Sequence, residues 1–293
     1  MRHPIAKAIY AGSVLLLVSN APGQNLFVAS DGNDNLGAGS IYEFTPDGEQ
    51  STFASGLNQP GGPVFNSAGD LFVSTKYGNT LGTIEEFTPA GQESTFASGL
   101  NGPEGLAFNS TGDLFEADYG SGNIYEFTPS GAQTTFASGF SNPSALAVNS
   151  AGSVFVLNIG YNNITKIAAN GAQNTFASVT GGAYSLAFNN AGDLFVSSAS
   201  GIITEITTNG TQSTFVSGLK GAGHLAFDST GDLFDALGSG TVYEFTTAES
   251  QSTFASGLSL PAGLAFQPVP EPPQFGLLAL AATAFLVRYS RRG

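Results

Sequence analysis

Leu106-Ala107-Phe108-Asn109-Ser110-Thr111-Gly112-Asp113-Leu114-Phe115 recurs, with small changes, from one end of the chain to the other. The phrase returns at Leu186–Phe195 and Leu225–Phe234, and in looser copies at Pro63–Phe72 and Leu146–Phe155. Two half-copies complete the series. Leu26-Phe27 carries only the second half, and Leu264-Ala265-Phe266 only the first. A fixed-period repeat decides the architecture before any single segment does.

Around this phrase one full unit, Gly105 to Phe140, holds four apolar runs divided by turn chemistry. Leu106-Ala107-Phe108 and Asp113-Leu114-Phe115-Glu116 are joined by Asn-Ser-Thr-Gly, a hairpin loop whose Gly112 can take a positive φ. Asn123-Ile124-Tyr125-Glu126-Phe127 is the third run, and Thr128-Pro129-Ser130-Gly131 fits a type I turn. Thr134 to Ser138 is the fourth. Four strands in about 40 residues predict a propeller blade. The fourth-strand phenylalanines Phe53, Phe96, Phe136, Phe176, Phe215 and Phe254 are 43, 40, 40, 39 and 39 residues apart, so the expectation is an all-β, six-bladed β-propeller. Large and small residues alternate along the strands, which suggests that one blade's bulky face meets the next blade's small one. The half-copies predict that Leu264–Phe266 supplies the missing first strand of the N-terminal blade and closes the ring, removing two open edges.

Composition sets the limits. Cysteine is absent, which excludes disulfides and Cys-based chemistry. The 24 phenylalanines exclude a disordered chain. Of 22 acids only Glu271 lies beyond the repeats, whereas the repeats hold just Lys76, Lys166 and Lys220 of the eight bases. So acidic a body repels phosphate backbones, and no nucleic-acid partner is expected. Nothing in the repeats calls for self-association, and a monomer is expected.

The two ends differ from the body. In 1–23, Arg2 and Lys7 precede the short apolar run Ile9–Val18, and small residues allow cleavage after Ala21 or Gly23, so this is read as a signal peptide. The repeats occupy 24–268. In 269–293 a Pro270-Glu271-Pro272 triplet precedes an apolar run over 275–287 and a basic end with Arg288, Arg291 and Arg292. A full crossing needs about 20 apolar residues, so transient membrane association is expected of this shorter run.

The repeats, of the form Pro-x-Gly-Leu-Ala-Phe-Asn-x-x-Gly-Asp-Leu-Phe, resemble NHL-type repeats and their gluconolactonase-like and streptogramin-lyase-like relatives. That resemblance is specific for architecture and weak for activity. The tail resembles a PEP-CTERM sorting signal. This implies an exosortase-type partner and export to the envelope surface or extracellular matrix of a Gram-negative-type bacterium. Streptogramin-lyase-like propellers use a histidine and a glutamate at the ring mouth, and His224 enters a first strand at a similar place. Its blade carries Asp235 where a glutamate is expected, and the chain has no tryptophan.

Chemistry is expected on the face formed by the loops after second and fourth strands, because the opposite loops are stereotyped. From the second-strand Phe to the end of the third strand, blades one to six span 17, 15, 12, 12, 11 and 11 residues, so extra length gathers in blades one and two. The face collects Asp31, Asp34, Lys76, Tyr77, Glu104, Asp118, Tyr119, Tyr161, Tyr184 and His224 as candidate binding residues. Asp31-Gly32-Asn33-Asp34-Asn35 reads as a calcium loop or as an ordinary solvated turn. Pairing Phe108 with Leu114 places Glu104 opposite Asp118. Glu104, Glu116 and Asp118 are therefore the candidate metal ligands, with calcium as the ion. Glu116 and Asp235 replace the valines of other blades (Val28, Val73, Val156, Val196), and each is expected to find a backbone or hydroxyl partner. No catalytic motif is recognisable. The leading expectation is a binding or scaffold module for a polysaccharide or protein, with a metal-dependent lactonase or lyase as the alternative.

Overall fold

The computed structural model describes residues 23–32, 37–77, 81–221, 223–248 and 250–269. The segment read as a signal peptide, apart from Gly23, and the segment read as a sorting tail, apart from Val269, lie outside the described residues. So do Asp34, Pro270, Glu271, Pro272, Arg288, Arg291 and Arg292. Six four-stranded antiparallel sheets form six blades. Each strand is short because its turn chemistry recurs. In blade three, Asn109 Oδ1 accepts the amides of Thr111 and Asp113 at 3.0 and 2.8 Å, and Gly112 takes φ +88° to close the loop.

The ring closes as the half-copies predict. Pro261–Phe266 is the first strand of blade one, and it pairs with Leu26–Ser30 in the register Leu26↔Phe266, Phe27↔Ala265 and Val28↔Leu264. Both chain ends of the ring thus meet in one sheet, where the Gln267 amide also donates to Asn25 O at 2.9 Å.

Second strands are the buried heart of every blade, and that of blade one, Leu26–Ser30, is buried at all five positions. The seams between blades are aromatic rather than bulky-on-small. Phe27 meets Phe53 of its own blade and Phe65 of the next, both edge-to-face at 5.0 Å. The same triad recurs as Phe72 with Phe96 and Phe108, and as Phe155 with Phe176 and Phe188. Such pairs add about 0.5–1.5 kcal/mol each beyond their area burial, because ring edges and faces carry opposite partial charge. Between blades three and four Val148 takes the second ring's place.

Two further features bear on the site. Every fourth strand pairs with its third across a register shift, so each outer edge is bulged. The extra length of blade two goes mainly into longer strands, Leu71–Tyr77 and Leu81–Phe87, which lift Lys76 above the level of its neighbours.

Candidate functional site

The first strands of all six blades stand around the ring axis and line a channel of about 120 Å³. Its walls are made by small residues such as Gly61, Gly62, Gly105, Ala145 and Gly263. Close backbone approach is the reason: a Cβ on Gly105 would lie 2.8 Å from Ala145 Cα, and one on Gly263 only 2.4 Å from Gly62 Cα. On the predicted face the channel opens into a mouth of about 360 Å³.

Asp31, Lys76, Glu104, Tyr119, Tyr184 and His224 meet at this mouth. Blade two brings Lys76 to Glu104 of blade three in an ion pair. The Ser74 hydroxyl, on the same strand as Lys76, donates to the Glu104 carbonyl at 2.7 Å, which fixes the backbone that carries the carboxylate. Across the ring, Tyr184 of blade five meets His224 of blade six edge-to-face, with ring centroids 5.0 Å apart. One wall is therefore charged and the other aromatic.

The aromatic wall has its own electrostatics. His224 keeps some surface open to the mouth, but the groups around it are dense. Burial first, and the Lys76 ammonium second, push its imidazole down to about 4, so it is neutral at physiological pH. Burial, then the charges of Glu104 and Asp31, raise the Tyr184 phenol above its ordinary range. Tyr184 nevertheless stays half-exposed, and Tyr119 presents 39 % of its surface.

Other candidates fall elsewhere. Asp118 does not face Glu104. A bulge between Pro103 and Leu106 slips the register, so Asp118 pairs with Pro103, while Phe108↔Leu114 and Leu106↔Glu116 stand as expected. Asp118 is buried, and its two oxygens accept the amides of Asn101 at 2.7 Å and Ser121 at 2.9 Å. It is a loop anchor, and the paired-acid corner does not form. Tyr161 is exposed at the end of the 3-10 turn Ile159–Tyr161, beside the mouth rather than in its lining. Tyr77 ends the strand Leu71–Tyr77. Glu116 and Asp235 are completely buried, and no oxygen of either has a hydrogen-bond partner, contrary to the expected pairing. Among the described residues no three His, Asp or Glu side chains group as metal ligands.

Sequence reasoning missed Gln59, Pro60 and Ile159, which also line the mouth. Gln59 had a readable signal. It precedes a proline at the entry to a first strand, as do Asn142 and Leu260, and all three take positive φ of 39°, 53° and 46°.

No family model matches the chain, and no curated protein matches it in sequence. Solved structures share its fold. One chain of a nidogen/laminin complex aligns with TM-score 0.70 at 16 % identity, over 84 % of this chain and 99 % of that one. The virginiamycin B lyase of Staphylococcus aureus aligns with TM-score 0.61 at 15 % identity, over 82 % and 87 %. A gluconolactonase from Xanthomonas campestris gives 0.62 at 15 %, over 83 % and 95 %. The structural neighbours are six-bladed propellers of the NHL, gluconolactonase and streptogramin-lyase kind, and at such identities the likeness is one of fold.

Proposed function

We propose that this chain is an exported binding module whose mouth takes a sugar unit of an extracellular polysaccharide. Its carrying observation is the two-walled mouth, with Tyr184 and Tyr119 exposed on the rim and the Lys76–Glu104 pair opposite Tyr184 and His224. Sugar rings stack their C–H faces on aromatic side chains and offer their hydroxyls to mixed donor–acceptor pairs. The ammonium donates and the carboxylate accepts, so one hydroxylated ring satisfies both. The tail supports export and handling by an exosortase-type enzyme, with 275–287 holding the chain at the membrane until it is processed. A protein ligand remains the competing occupant of the same mouth.

A lactonase or lyase is the second reading, favoured by the neutral His224 at the mouth and by the enzymes among the structural neighbours. An imidazole held near 4 is a weak base at neutral pH, and Glu104 is already engaged by Lys76. Both facts weigh toward binding.

One experiment separates these readings. The purified protein is screened on a glycan array with and without calcium, alongside Tyr184→Ala and Glu104→Ala, and its hits are tested for turnover. Glycan binding that weakens at least about tenfold in both variants is expected. Absence of any glycan binding, or binding indifferent to both substitutions, removes the mouth as a sugar site. Turnover lost in His224→Ala would establish the second reading instead.

A further inference from the structure

Two seams of the ring are built alike and unlike the other four. In the register of blade three Glu116 lies between Leu106 and Tyr125, and in blade six Asp235 lies between Leu225 and Tyr243. Cross-strand partners project to one face of a sheet. That face is the seam with the preceding blade. Leu106 and Tyr125 pack with Phe72 and Leu100 of blade two, and Leu225 and Tyr243 pack with Phe195 and Ile203 of blade five. Each preceding blade contributes a buried serine where other blades carry Ala29, Ala117, Leu157 or Ala236. Ser74 donates to Glu104 O at 2.7 Å, and Ser197 donates to Gly223 O at 2.6 Å. The serine hydroxyls are thus engaged by backbone, and the carboxyls beside them have no partner.

Asp235 also shapes its strand. A Cβ at Gly223 would fall 1.9 Å from Asp235 Oδ1, so the carboxyl occupies the space of the missing side chain. The first strand of blade six then runs without the register shift found in blades three, four and five, and this straight strand carries His224 into the mouth.

A carboxylate cannot keep its charge in an apolar seam without hydrogen bonds or a counter-ion, so a carboxyl placed there stays protonated. We propose that the seams between blades two and three and between blades five and six are proton locks: the ring is tightest while Glu116 and Asp235 are protonated, and loosens on both sides of the mouth as rising pH ionises them.

The surroundings agree. Facing Glu116 are Tyr125 from the third strand, Glu104 from the first, Asp118 from its own strand, and Ser74 and Lys76 from blade two, with the Lys76 charge taken up by Glu104. Burial first, then Asp118 and Glu104, raise Glu116 well above the ordinary carboxyl range. Asp235 faces Gly223, the neighbouring His224, Tyr243 and Ser197, none charged near neutrality, and burial alone lifts it to about 7. The sign follows. A carboxyl raised on folding contributes stability that is full below its unfolded value, 3.8 for Asp235, and lost as pH rises through about 7. His224 acts oppositely. Its imidazole, lowered on folding from 6.5 to about 4, weakens the fold as pH falls across that interval. The difference between variant and wild type at each pH isolates the carboxyls from this opposing trend.

Melting of the full chain is followed from pH 5 to pH 8.5 for wild type, Glu116→Gln and Asp235→Asn, the amides keeping the shape of the protonated acid without its titration. At pH 5, already above the unfolded carboxyl value, each variant should melt a few degrees above wild type, and by pH 8.5 the gap should widen by on the order of 5 °C or more. Amide exchange in wild type, corrected for its intrinsic pH dependence, should rise with pH at 103–108 and 223–227 before the other first strands. A variant-minus-wild-type difference that is the same at both pH values overturns the proposal, as does exchange that rises evenly in all six blades. Glu116→Val and Asp235→Val, which install the residue of the other four blades, carry the same readout should the amides misfold.

Discussion

At the residue scale, the positions just before the first strands concentrate backbone strain. Leu260 takes φ 46°, a left-handed conformation that costs an L-residue about 1–2 kcal/mol, and Gln59 and Asn142 do the same before their own prolines. Gly102 and Gly182 fill the equivalent positions of blades three and five without that cost. Leu260→Gly should therefore stabilise the protein by about 0.5–1 kcal/mol, the relief of strain exceeding the added freedom of the unfolded chain. A denaturant midpoint that rises at unchanged slope would show it, and a lower midpoint would mean that the half-exposed Leu260 side chain matters more than its backbone. Residues at the mouth were legible in the sequence in proportion to their chemistry. Lys76, Glu104, Tyr184 and His224 stood out as departures from the repeat. Asp118 was misplaced because the bulge at Glu104-Gly105 depends on the backbones of two neighbouring blades, and no local signal marks such a slip. Ile159 was invisible, since a lone exposed isoleucine in a loop resembles any other.

At the element scale, the inner strands explain why glycine recurs along the channel wall. Gly263 of the closing strand sits against Gly62 of blade two, with a would-be Cβ 2.4 Å from its Cα. Neither backbone can retreat, since Gly263 pairs with Ala29 in its sheet and Gly62 is held between the Gly61 amide, bonded to Ser74 O at 2.8 Å, and Pro63, paired with Val73. Gly263→Ala should cost about 2 kcal/mol by forcing this seam apart, read as a lower unfolding midpoint, whereas a fully exposed site would barely move. The blades themselves were readable because their turns repeat the same Asn-to-amide hydrogen bonds, as in Asn66, Asn149 and Asn189. The added length of blade two was not, because paired strands and an open loop are equally compatible with a polar insertion of Thr, Lys, Tyr and Gly.

For the whole molecule, closure through Pro261–Phe266 makes the ring depend on its last strand. The chain from 24 to 268 should melt in one cooperative transition, and the chain from 24 to 260 should not, since it leaves blade one without its inner strand and opens an apolar edge on blade six, where Phe234 stacks on Phe266 at 4.8 Å. Equal, cooperative melting of both would refute the dependence. Failure of 24–268 to fold would show instead that the tail takes part in the structure.

That same pairing decides how the ring meets a mechanical load. Leu26 and Phe266 face each other at one end of the antiparallel pair, and both lead outward to the chain ends. Tension applied between those ends pulls across the ladder, not along it, and opens the pairs in succession from Leu26↔Phe266 toward Ser30↔Pro261. Blade one would peel like a zipper before any other blade came under load. A body held by its tail and by its own N-terminal end would yield gradually at one blade, whereas a body held by its tail and gripped at the mouth would share the load across the ring.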